Sequence, residues 1–67
     1  MSKPVTRTTI KYAAKQAWQL MMMRGIYSCT VVGLHCVVRP ATRSVGVTDP
    51  STGNFHAIGV PKAWSSL

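Results

Sequence analysis

The chain has 67 residues, with eight Lys or Arg against a single acidic side chain, Asp49, and a formal net charge of +7. At 7.3 kDa it makes one domain, residues 1–67, that buries just over half of its unfolded surface, which excludes a large core. No apolar run approaches the ~18 residues of a membrane span, and the charge selects polyanions as partners: nucleic acid, an anionic membrane surface or an acidic protein face.

Residues 1–7, MSKPVTR, combine Pro4 with β-branched Val5 and Thr6 and read as an extended arm, a candidate short edge strand. Thr8 or Thr9 offers an N-cap hydroxyl for a helix over 8–24, Gly25 supplies its left-handed C′ position, and Arg24 suits the negative helix end. Helical spacing gathers Ile10, Ala13, Ala14, Ala17, Leu20 and Met21 into a core face. Lys11, Lys15, Trp18 and Met22 form a second ridge; Tyr12, Gln16, Gln19 and Met23 form a third.

Past Gly25 the composition turns β-branched. The segment IYSCTVVGLHCVV reads as one strand ended by RPATR, and SVGV and FHAIGV flank TDPSTGN as a hairpin. In that turn Asp49 accepts hydrogen bonds, Pro50 fixes the first turn residue and Gly53 takes a positive φ, so the lone acid is explained without catalysis. Residues 26–60 thus supply antiparallel strands, and the tail 61–67, PKAWSSL, folds back with Trp64 over the sheet. The expected fold is α+β: one N-terminal helix packed on a small antiparallel sheet, a three-stranded meander with residues 2–7 as a candidate fourth strand.

Cys29 and Cys36, taken in one extended strand, stand roughly 23 Å apart at about 3.3 Å per residue, which leaves two reduced thiols and places the chain in a reducing, cytoplasmic compartment. The first 24 residues carry Lys, Arg, Ser and Thr but no acid, as organellar presequences do, and targeting is the lesser reading. No CxxC or HxxxH spacing suggests a metal or other cofactor. His35 and His56 fall on segments that can be neighbouring strands, yet no carboxylate orients an imidazole and no phosphate loop or nucleophile elbow accompanies them. The chain therefore reads as no enzyme, with no small-molecule substrate.

Two functions compete. In the first, a nucleic-acid-binding module contacts phosphates through Arg7, Lys11, Lys15, Arg24, Arg39 and Arg43, with Trp18 stacking on an unpaired base. In the second, Trp18, Met22 and Met23 form an adaptable apolar anchor for a protein partner, and the basic field seeks an acidic surface on a nucleic-acid-processing complex. Phage and plasmid accessory proteins, anti-CRISPR inhibitors among them, offer an analogy of size to the second. Against both stands the plain alternative of a solvated face with Trp18 partly buried and the methionines covered by the tail. A homodimer would supply stability that so small a core lacks, with the SVGVTD strand and its hairpin partner as the suspected edge.

Overall fold

The computed structural model describes residues 6–65, as helix α1 (Arg7–Arg24), strands β1 (Ser28–Val31) and β2 (Leu34–Arg39), a 3-10 turn (Pro40–Thr42), strands β3 (Ser44–Thr48) and β4 (Phe55–Gly59), and helix α2 (Lys62–Ser65). The strands pair antiparallel in the order β1-β2-β3-β4, so α1 precedes an open meander and the fold is α+β. No helix among the described residues is long and apolar enough to cross a membrane.

Helix α1 starts earlier than its hydroxyls suggested. Thr6, not Thr8 or Thr9, is the N-cap, and its Oγ1 accepts from the Thr9 backbone N–H at 3.2 Å. Thr6 and Arg7 therefore open the helix rather than close a strand, and the remainder of the expected arm, residues 1–5, lies outside the described residues. The other end follows expectation: Gly25 sits at φ 68 and its N–H bonds back to Leu20 and Met21 carbonyls, the left-handed stop that glycine makes without a Cβ clash.

The stretch expected as one strand over 26–38 is a hairpin. Val32 and Gly33 both take positive φ (45° and 77°), as in the tight primed turns whose twist matches that of the paired strands. Because of this reversal Cys29 and Cys36 are direct cross-strand partners, not distant residues of one extended strand. The Val38 N–H donates to the Tyr27 carbonyl, and alternation then makes Cys29 and Cys36 a hydrogen-bonded pair, with Cα atoms about 5.5 Å apart. Both thiols are free. The fourth strand of the described sheet thus arises from this split.

The second hairpin forms where Asp49 and Gly53 indicated. The Asp49 carboxylate accepts from Ser51 N and Ser51 Oγ, its carbonyl accepts from Gly53 N, and Gly53 takes φ 75. The expected RPATR loop contains the short 3-10 turn, and the tail forms α2, which packs Trp64 against the core.

One sheet face meets α1. Leu34, Cys36 and Val38 alternate inward along β2, and Val45 and Val47 do so along β3. Ala13, Ala14 and Ala17 are fully buried against them, so the helix backbone comes close enough for the Cys36 Sγ to reach the Ala13 carbonyl at 3.8 Å. On the other face the Phe55 ring lies over Gly46: a Cβ there would stand 2.8 Å from the ring.

Candidate nucleic-acid interface

Along α1, Arg7, Lys11 and Lys15 recur every four residues, about 6 Å apart, and all three are exposed. Their side of the helix overhangs the edge strand β4. There Arg7, Ile10 and Lys11 form one wall of an open cleft of about 600 Å³, and residues 56–59 form the other. His56 and Ile58 share the helix-facing side of β4 because each lies opposite a buried valine of β3, Val47 and Val45 respectively. The cleft therefore has an apolar floor from Ile10 and Ile58, a rim of Arg7 and Lys11, and an imidazole that can donate or accept.

No acidic side chain lines this cleft. The first turn of α1 carries no acid, and its positive dipole end adds to the field beside Arg7. Asp49, the only acidic side chain, is held below the usual carboxylate range first by the Ser51 hydroxyl and then by the Ser51 backbone N–H.

Trp18 does not extend the surface. Its side chain is 4% exposed and belongs to the core, which excludes the expected stacking on a base. The helical angle explains the difference: Trp18 lies on the margin between the alanine stripe and the lysine ridge, and its ring joins the buried cluster there. Arg43, at φ 50 after the 3-10 turn, places its guanidinium over the indole with Cζ 5.8 Å from the ring centroid. Exposed Arg43 is thereby held next to the turn of α1 that follows Lys15.

The other predicted cations lie elsewhere. Arg24 closes α1, roughly 26 Å along the helix from Arg7. Arg39 ends β2 in an exposed position of an alternating strand and belongs to the sheet face turned away from α1. Of the six predicted cations, Arg7 and Lys11 thus line the cleft, Lys15 continues their spacing along α1, Arg43 lies over Trp18, and Arg24 and Arg39 stand apart. The apolar pair is exposed as well: Met22 at 40% and Met23 at 79%, close in sequence to the exposed Ile26 and Tyr27. This patch is at the opposite end of α1 from the cleft.

Sequence reasoning missed the part of β4 in the site. His56 and Ile58 carry a readable alternation in FHAIG, but their placement beneath Arg7 and Lys11 depends on how the helix crosses the sheet. The expected neighbourhood of His35 and His56 does not form. They occupy β2 and β4, which β3 separates, and they lie on opposite faces of the sheet. Cys36 and His56 share a face but flank Val47, two strand spacings or about 10 Å apart. Burial first, then the neighbouring Cys29, pushes the Cys36 thiol up to about 11. No family model matches this chain, and no curated protein or solved structure is significantly similar to it.

Proposed function

We propose that the protein is a small non-enzymatic nucleic-acid-binding module that takes phosphates along the α1/β4 side. The observation that carries this reading is the row of exposed Arg7, Lys11 and Lys15 along α1, the first two on the rim of an open cleft, in a chain whose sole acidic side chain is engaged in a turn. A merely solvated surface usually mixes both signs, whereas this one presents a single sign on a folded scaffold. Trp18 then serves as the platform for Arg43 rather than for a base. Non-enzymatic action is supported by the separated histidines and by a Cys36 thiol that burial keeps protonated. The test is binding of a labelled oligonucleotide at low salt by the wild type and by Lys11→Ala/Lys15→Ala. The reading requires a clear loss in the variant.

A second reading rests on the exposed Met22 and Met23. Flexible, polarisable methionines next to Arg24 suit an anchor on an acidic protein surface. The partner would then belong to a nucleic-acid-processing complex, as for phage- or plasmid-type inhibitors of the anti-CRISPR kind. The two sites lie at opposite ends of α1, so separate substitutions distinguish them.

A further inference from the structure

Among the described residues the outer edge of β4 is unpaired; it is made of Phe55–Gly59 (FHAIG), a stretch without Lys, Arg, Asp, Glu or Pro. Open edges of this kind pair with other strands unless a charge, a proline or a covering segment blocks them. The direction of each backbone group follows from the ladder with β3. Asn54 accepts from Asp49 N and Val60 donates to the Arg43 carbonyl, so the even-numbered residues 54 to 60 turn their backbone groups inward. Phe55, Ala57 and Gly59 therefore present their N–H and C=O groups along the free edge, and all three are exposed.

We propose that this edge pairs with the β4 edge of a second copy of the chain, antiparallel about a two-fold axis at Ala57. This pairing does not require nucleic acid. The self-complementarity of the segment favours a second copy over an unrelated strand. With Ala57 opposite Ala57 of the other copy, Phe55 falls opposite Gly59 and Gly59 opposite Phe55, and each pair exchanges both N–H···O bonds. On the outer face the ring meets a residue with no side chain, as it already does over Gly46 within its own sheet. On the helix-facing side His56 comes opposite Ile58, and both are half-buried with room left by the cleft. The other free edge, β1, is less suited. Tyr27, whose carbonyl bonds Val38, fixes its inward set, and this leaves only Ser28 and Thr30 of the four-residue strand facing outward.

The pairing joins two meanders into one continuous sheet with an α1 helix above each half. It also brings the two clefts together at the axis, because Arg7 and Lys11 line the same strand that forms the interface. Like charges meet there, so the dimer tightens when a polyanion or high salt screens them.

The test is light-scattering mass of the full chain, with circular dichroism as the check on folding. The wild type is expected at twice 7.3 kDa. Ala57→Lys and Ala57→Glu keep the ladder to β3 but set like charges against each other at the axis, so each is expected as a folded monomer. An equimolar mixture of the two is expected to recover the dimer, because ammonium then faces carboxylate. A wild type that stays monomeric in high salt overturns the proposal. So does a dimer that both variants retain, and so does a mixture of folded monomers that fails to associate. If either variant does not fold, a disulfide-linked dimer of Ala57→Cys carries the same decision, since the paired Cα atoms lie within bridging range. Its absence under oxidant also overturns the proposal.

Discussion

Arg43 holds its guanidinium 5.8 Å from the centroid of the buried Trp18 ring and thereby ties the β2–β3 connection to the middle of α1. One contact thus serves packing and charge together: the indole fills the core margin, and its face positions a cation beyond Lys15. Arg43→Ala is expected to cost about 0.5–1 kcal/mol of stability, the worth of such a contact near the surface. Trp18→Ala, by contrast, removes a large buried ring and is expected to cost about 3–5 kcal/mol, enough to unfold much of a domain this small. Trp18→Phe is expected to retain the fold, because the Trp18 Nε1 has no hydrogen-bond partner among the described residues and its loss leaves no partner unsatisfied. Urea titration followed by circular dichroism measures all three.

The Val32–Gly33 turn carries strain that one substitution relieves. Val32 is β-branched yet sits at φ 45, a region that asparagine and glycine tolerate far better. Val32→Asn is expected to stabilise the chain by roughly 1 kcal/mol, and Gly33→Ala at φ 77 to destabilise it by a similar amount. Thermal melts of the two variants should shift in opposite directions.

Cys36 makes stability fall in alkali. Burial and the adjacent Cys29 push its folded value from 9.0 up to about 11. The unfolded chain therefore loses this proton first, and its stabilising effect is complete below pH 9 and disappears as pH rises through about 11. Cys36→Ala is expected to have a shallower alkaline loss of stability than the wild type, measured by denaturant midpoints across that window. Disulfide-exchange reagents should label the half-buried Cys29 before Cys36.

Met22→Ala/Met23→Ala separates the two functional readings. Both side chains are exposed, so the double substitution is expected to change stability by no more than about 0.5 kcal/mol. It should leave oligonucleotide affinity unchanged. A loss of nucleic-acid binding equal to that of Lys11→Ala/Lys15→Ala would shift the interface to the C-terminal end of α1.

Much of the architecture was legible because punctuation residues carried it. Gly25 ended the helix, Asp49 and Gly53 marked the second hairpin, and the alanine stripe identified the face of α1 that meets the sheet. The first hairpin was hidden because its turn uses Val-Gly, and a β-branched residue within an apolar run reads as strand. That one misreading also concealed the juxtaposition of Cys29 and Cys36. Of the site, the spacing of Lys11 and Lys15 was visible in the sequence, whereas Arg7 joined their row only because the helix starts at Arg7 and not at Thr8. Arg43 was among the expected cations, but its seat over Trp18 was not legible, nor was the part of His56, because both arise from tertiary contacts.

The most direct test of phosphate recognition is the salt dependence of oligonucleotide binding by the wild type, by Arg7→Ala/Lys11→Ala/Lys15→Ala and by Arg24→Ala/Arg39→Ala. Each phosphate contact contributes about 0.9 to the slope of log affinity against log salt on a duplex and about 0.7 on a single strand. The α1/β4 interface predicts a slope reduced by about 2–3 in the triple variant and unchanged in the double variant. Equal losses in both variants, or no binding by the wild type at low salt, would contradict it.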